Sequence, residues 1–185
     1  KLYLTQNDGT VLLADRAERY PVFSFASGPT NSMRGAAFLS GRPDGMVADV
    51  GGTTTDVGML QGGFPREANN VIKIGGVRTL FRMPDLISIG LGGGSLVDLE
   101  AGTIGPESVG YRLPERARVF GGPDLTASDL AVAAGLLSLG DARAVADLSQ
   151  GDVARFMGLA STMAAGAVDR MKTEASGVSV LVVGG

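Results

Sequence analysis

Apolar and polar positions alternate in short runs through the first half of the chain and settle into a helical period in the second. Leu2-Tyr3-Leu4 and Val11-Leu12-Leu13 flank Asn7-Asp8-Gly9, a turn signal that predicts a hairpin or a strand-turn-helix entry. Pro21 to Ala26 alternates at strand spacing and runs into Ser27-Gly28-Pro29, after which Asn31 or Ser32 can cap a helix reaching about Leu39. The small residues Gly35-Ala36-Ala37 predict that this helix packs closely against something. Short strands on either side of Gly51-Gly52, a turn at Gly62-Gly63 and a strand from Asn70 to Ile74 would form an antiparallel meander over 46–74. A helix is expected within Val77 to Phe81, limited by Pro84. Leu86 to Ile89 then reads as a strand, and Leu96 to Leu99, beyond a glycine cluster, as its partner.

The span from Gly102 to Pro123 has few periodic cues and reads as a loop-rich excursion. Thr126 or Ser128 can cap a helix carrying Leu130, Ala133, Ala134, Leu137 and Leu139 and ending at Gly140. Asp152 to Lys172 is Ala-rich with helical apolar spacing, and Val178 to Val183 is a continuous β-branched run that predicts a buried strand. A meander followed by helices and a terminal strand predicts an α/β layered domain.

Composition narrows the chemistry. The 185 residues suit one domain, or one domain plus part of a neighbour, and a hydrophobic content of 44% can supply a core. A net charge of only -3 and the lack of a Lys/Arg run argue against nucleic acid or an anionic membrane as partner. With no span-length apolar stretch and no cleavable leader pattern, the cytoplasm is the expected location. The chain starts at Lys1 and stops at Gly185 after an apolar run, so it is expected to be a segment of a longer protein. Neither Cys nor His occurs, which removes disulfides, thiolate nucleophiles, His-based triads and the usual zinc sites. Carboxylate, hydroxyl and backbone chemistry remain, and those are the ligands of Mg²⁺ and phosphate.

Such ligands concentrate between Met46 and Leu60. Gly51 and Gly52 let the main chain approach an anion, and Thr53, Thr54 and Thr55 add hydroxyls. Asp49 and Asp56, one on each side of the turn, suit a Mg²⁺ ion that bridges to phosphate. A tight glycine hairpin is the plainer reading of the same residues. A second glycine cluster, Gly92-Gly93-Gly94-Ser95, favours phosphate.

Asp49-Val-Gly-Gly-Thr-Thr-Thr-Asp56, with Ser27-Gly-Pro29 and Gly35-Ala36 before it and Ser88-Ile-Gly90 and Gly92-Gly-Gly-Ser95 after it, resembles the hydantoinase A / 5-oxoprolinase family. Gly105-Pro-Glu-Ser108, Gly121-Gly122 and Thr126-Ala-Ser-Asp129 extend the likeness across nearly the whole chain. The resemblance implies an actin-like ATPase fold, ribonuclease H-like, with a mixed sheet, an antiparallel meander and flanking helices. It implies that residues 1–45 end a preceding domain and carry a crossing helix. Residues 46–185 would be a second ATPase-like domain, cut at the adenosine loop that Gly184 and Gly185 open. Two departures stand out. The family's other Asp-Gly-Gly-Thr-type phosphate loop has no counterpart here. Where relatives often carry Pro-Gly-Pro-Ala-Cys, this chain has Leu113-Pro-Glu-Arg-Ala-Arg-Val119.

By the resemblance, ATP and Mg²⁺ are cofactors and the substrate is a small cyclic amide of the hydantoin or 5-oxoproline type, opened by phosphorylation of its carbonyl. A companion subunit or domain is implied, and the isolated segment, with half a cleft, is expected to be inactive. Asp49 is the candidate catalytic carboxylate and, with Asp56, the candidate metal ligand; the motif order favours metal at Asp49 over a strand-end aspartate bonding to turn amides, whereas Asp56 can equally be a strand residue facing solvent. Gly51, Gly52, Thr53 and Thr54 are the candidate phosphate donors, while Gly92, Gly93 and Gly94 either approach the nucleotide or simply turn the chain. Asp129 reads as a helix cap, and Arg34, Lys73, Arg78 and Arg82 as solvated surface cations. A ketone carboxylase subunit of the same family, a nucleotide-responsive regulatory or scaffold module, and a sugar or acid kinase are the competing readings.

Overall fold

In the computed structural model the described residues are 1–68, 73–74, 76–78, 82–173 and 177–184. The Asn7-Asp8-Gly9 turn joins β1 (Tyr3–Thr5) to β2 (Val11–Leu13) in the expected antiparallel hairpin, and α1 (Ala14–Arg19) follows directly. Pro21–Ser24 is a 3-10 turn rather than a strand. Its Pro stands at the start of the helical turn, where a fixed φ and a missing N–H are no handicap. The following helix, α2 (Ser27–Ser40), begins a turn earlier than expected, with Pro29 in its first turn and Gly41 closing it at φ 67°.

Next come β3 (Gly45–Val50), β4 (Thr55–Gln61) and β5 (Phe64–Pro65), then the small hairpin of β6 (Lys73–Ile74) and β7 (Val77–Arg78), and β8 (Leu86–Ile89). The meander's third strand is therefore β5, while the expected strand at Asn70 to Ile74 lies outside the described residues except for β6, which pairs with β7. Val77–Arg78 being a strand also corrects the helix expected there, and 79–81 lie outside the described residues. Farther on lie β9 (Ser95–Asp98), β10 (Thr103–Ser108), α3 (Leu113–Arg116), α4 (Ala127–Ala133), α5 (Gln150–Met171) and β11 (Val180–Gly184). β9 pairs with β10 and not, as expected, with β8, which joins β4. Thus the supposed loop after Gly102 opens with a strand.

The described residues divide into two compact units: one within 1–49, 56–87 and 171–184, the other within 50–55 and 88–170. The first is built on a mixed sheet of strand order β11-β3-β4-β5, with α2 packed on it through Met33, Ala36 and Ala37 against Val47 and Leu60. The close approach expected of α2 is real: a Cβ at Gly58 of β4 would stand 2.7 Å from the Met33 sulfur. β11 is at the sheet's margin and alternates exposed with half-buried residues, so its apolar run is not the buried strand that the sequence predicts.

In the second unit α5 packs Phe156 against Leu91, Ile104 and Leu130, and a neighbouring cluster joins Ala117, Val119, Val132 and Val145. α4 starts with a capping box in which Thr126 and Asp129 exchange hydrogen bonds, as expected of Asp129. It stops short of Gly140 because Gly135 turns left-handed, at φ 71°. Among the described residues no helix is long and apolar enough to cross a membrane.

Candidate functional site

The residues of 51–54 sit within the second unit, with the strands on either side belonging almost wholly to the first. The Gly51 amide donates to the Thr54 carbonyl at 2.9 Å, which closes the turn locally. The carbonyls of Gly51 and Gly52 are held by the glycine cluster. Gly93 N–H donates to Gly51 O at 3.0 Å, and Gly94 N–H to Gly52 O at 2.7 Å, which also accepts from Ser108 Oγ at 3.2 Å. Thr55, fully buried, donates its hydroxyl to Leu91 O at 2.7 Å.

These contacts are main chain against main chain, and space enforces them. A Cβ at Gly92 would stand 2.6 Å from both Gly51 O and Thr53 N, and one at Gly94 would meet Ser108 Oγ at 2.8 Å and Gly52 O at 2.9 Å. The amides of all three glycines have partners within the chain, since Gly92 N–H donates to Ser95 Oγ at 2.9 Å. Their place in the site is to grip the turn.

The grip does not bury the turn. Gly51, Gly52 and Thr53 are exposed, no protein atom lies within 4 Å of a Cβ built on Gly52, and Thr53 makes no hydrogen bond among the described residues. An anion is repelled by carbonyl oxygens and attracted by N–H and O–H groups. At 51–54 the carbonyls of Gly51, Gly52 and Thr54 are occupied, while among the described residues the donors of Thr53 are uncommitted and its carbonyl is the one left open, so the turn has donors to offer an anion. Ser95, Ser108 and Ser128 are the supporting residues that sequence reasoning passed over, although each falls in a stretch carrying the family likeness.

In the first unit, Asp49 near the end of β3 and Asp56 in β4 are half-buried. Their carboxylates accept no hydrogen bond among the described residues, so neither is used in the side-chain turn bonding of the plainer reading. No cluster of three or more metal-ligating side chains occurs among the described residues. Two uncommitted carboxylates suit Mg²⁺, which takes one or two carboxylates and completes its shell with water and phosphate oxygens. Gly184 ends β11 at φ 109°, and Gly185 lies outside the described residues.

Arg34 departs from its expected place in solvent. Its guanidinium stacks over the Phe64 ring at 3.9 Å and donates to Gly63 O, bracing the Gly62-Gly63 turn. Arg82 is exposed and pairs with Glu67 at 3.2 Å, Arg78 is exposed, and the Lys73 side chain lies outside what is described.

Residues 1–178 match the family described as Hydantoinase/oxoprolinase. Among solved structures, a nucleotide-free acetone carboxylase, from a study of the mechanism of ATP-dependent acetone carboxylation, is similar at TM-score 0.57 and 23% identity, over 91% of this chain and 25% of that one. An ATP-dependent caprolactamase from Pseudomonas jessenii is similar at TM-score 0.57 and 18% identity, over 81% of this chain and 26% of that one. The chain thus spans about a quarter of each, and the likeness is one of fold. No protein of curated function matches it.

Proposed function

We propose, from the premise that this chain belongs to the hydantoinase/oxoprolinase family, that it is part of an ATP-dependent enzyme that opens a cyclic amide by phosphorylating its carbonyl oxygen. The observation that carries the reading is the turn at 51–54, with its Gly51 and Gly52 carbonyls tied down and Thr53 left free. Phosphoryl transfer asks a protein mainly to position the γ-phosphate and offset its charge. Gly52 and Thr53 would donate to that phosphate, with Gly51 and Thr54 closing the turn beneath. Phosphorylation of the carbonyl oxygen makes its carbon electrophilic; water adds there, the ring C–N bond breaks with the nitrogen leaving as a protonated amine, and the acyl phosphate so formed loses phosphate to a second water, leaving the ring-opened acid.

Asp49 and Asp56 would hold Mg²⁺, which when bound offsets phosphate charge; Asp49 also orients the attacking oxygen. In this reading the fold is ribonuclease H-like, 46–185 is the second ATPase-like domain, and Gly184 and Gly185 open the adenosine loop. A companion domain or subunit supplies the missing half of the cleft, so residues 1–185 alone should bind nucleotide weakly and leave a cyclic amide intact.

A ketone carboxylase is the second reading, favoured by the likeness to acetone carboxylase over 91% of the chain. An unreactive carbonyl activated by ATP is common to both. Incubating the full-length protein with ATP and Mg²⁺, and either a cyclic amide or a ketone with bicarbonate, separates them by product: a ring-opened acid or a carboxylated ketone.

The site itself is tested by Asp49→Asn in the full-length protein. Asn preserves size, so the melting temperature should hardly move, whereas turnover should fall by about a hundredfold or more if the charge holds a metal and aligns the reacting atoms. Normal turnover in the folded variant would remove Asp49 from the mechanism.

A further inference from the structure

The Thr126-Ala-Ser-Asp129 stretch is more than a helix start. Ser128, only 8% exposed at the beginning of α4, aims two donors at one atom: its N–H and its Oγ each lie 2.9 Å from Gly93 O. The N–H of that same Gly93 donates to Gly51 O. A continuous path therefore runs from α4 through one residue of the glycine cluster to the turn at 51–54. Its far end is fixed by Asp129, which is fully buried and accepts from Val119 N at 2.8 Å, from Thr126 N at 2.8 Å and Oγ1 at 2.7 Å, and from Arg118 N at 3.3 Å. With all those bonds the start of α4 is a firm base, and Ser128 is the residue that transmits its position to the loop.

We propose that Ser128 is a positioning residue for the nucleotide: it fixes Gly93, Gly93 fixes Gly51, and the turn is thereby held with Thr53 presented to phosphate. This rests on the reading of 51–54 as a phosphate turn. The approach is close enough to favour glycine at 93, where a Cβ would stand 3.0 Å from Ser128 Oγ. Ser108 acts on the next carbonyl along, that of Gly52, by a longer bond of 3.2 Å, and so contributes less.

The test is hydrogen exchange of the full-length protein and binding of a nonhydrolysable ATP analogue with Mg²⁺, on wild type, Ser128→Ala and Ser128→Thr. Ser128→Ala keeps the backbone donor and loses one hydrogen bond, so exchange at 51–55 should quicken. The dissociation constant should rise by about five- to tenfold, with the melting temperature within a few degrees of wild type. Ser128→Thr, which restores the hydroxyl, should recover both. Unchanged exchange at 51–55 in Ser128→Ala overturns the proposal, as does a weakened affinity that Thr fails to rescue. If exchange at the turn responds while the wild-type protein binds no analogue, the mechanical link stands and the nucleotide reading of the turn falls. Ser108→Ala gives an independent check: it should change both readouts in the same direction by less.

Discussion

Val50-Gly-Gly-Thr53 and Gln61-Gly-Gly-Phe64 look alike in sequence, each a glycine pair between strands, yet physics requires glycine for different reasons. At the second turn both residues are left-handed, Gly62 at φ 58° and Gly63 at φ 80°. That is the conformation of a tight hairpin, and beside one main-chain bond, from Gly63 N–H to Pro43 O at 2.7 Å, side chains brace it: Asp44 accepts from Gly62 N–H at 2.8 Å and Arg34 holds Gly63 O. At the first turn neither glycine is left-handed, and the brace is backbone, supplied by Gly92 to Gly94. A hairpin that only reverses the chain has no need to keep donors free. The difference shows which glycine pair to suspect of binding before any ligand is considered.

Substitutions can break this contrast. The largest effect is expected from Gly92→Ala, where the new methyl would overlap Gly51 O and Thr53 N, backbone atoms with nowhere to go. Overpacking should destabilise the protein by about 1–3 kcal/mol, and the displaced turn should lower turnover by about a hundredfold. Denaturant unfolding and steady-state kinetics on one preparation read both; a folded variant of normal activity would mean that the brace does not matter.

Gly63→Ala should instead be a stability change alone. Forcing an L-residue into the left-handed region costs about 1–2 kcal/mol, while kcat and KM for ATP in the folded fraction should match wild type. A changed KM would erase the distinction between the turns.

Gly52→Ala sharpens it from the other side. With an ordinary φ and open space around the new methyl, stability should stay within about 0.5 kcal/mol of wild type. Yet the methyl would stand on the exposed face, so KM for ATP should rise by about three- to tenfold, worth roughly 1 kcal/mol of lost approach. An unaltered KM would place phosphate elsewhere.

The smallest effect serves as a control on an ion pair that bonds to neither turn. The side-chain hydrogen bond from Arg116 holds the Asp124 carboxyl below its ordinary range, with charge attraction adding to it. A depressed carboxyl contributes stability above its unfolded pKa, about 4, and loses it as pH falls through the folded one. The stability gap between wild type and Asp124→Asn should thus be full at neutral pH and shrink in acid below about pH 4. Solvent screening keeps it small, and a gap that widened in acid would contradict the assignment.

The sequence reading went furthest where one local rule decided the outcome. Asn7-Asp8-Gly9 turned the first hairpin, Thr126 capped α4, and the Ala-rich period gave α5 almost to its ends. It failed where pairing is settled at a distance: β9 could equally have followed β8, and only the fold decides that β10 is its partner. Pro21 to Ala26 alternates like a strand, but Phe23 and Phe25 are both exposed and no strand among the described residues pairs with the segment, so the alternation has no face to bury. In the candidate site, the turn and its flanking aspartates could be proposed from sequence because these residues are contiguous. Ser108 and Ser128 were not, since each acts across a long stretch of sequence on a carbonyl that has no letter.

The last consequence concerns evolution. Because the grip on 51–54 is made by peptide groups, most of the residues around it can drift without altering its geometry, provided the few glycines and hydroxyls that allow the approach are kept. Under the proposed function, such a division would free the surrounding loops to acquire new substrates while the turn is inherited intact. A library that randomises exposed positions such as Glu107 and Tyr111, and spares the glycines, should yield altered specificity far more often than lost folding.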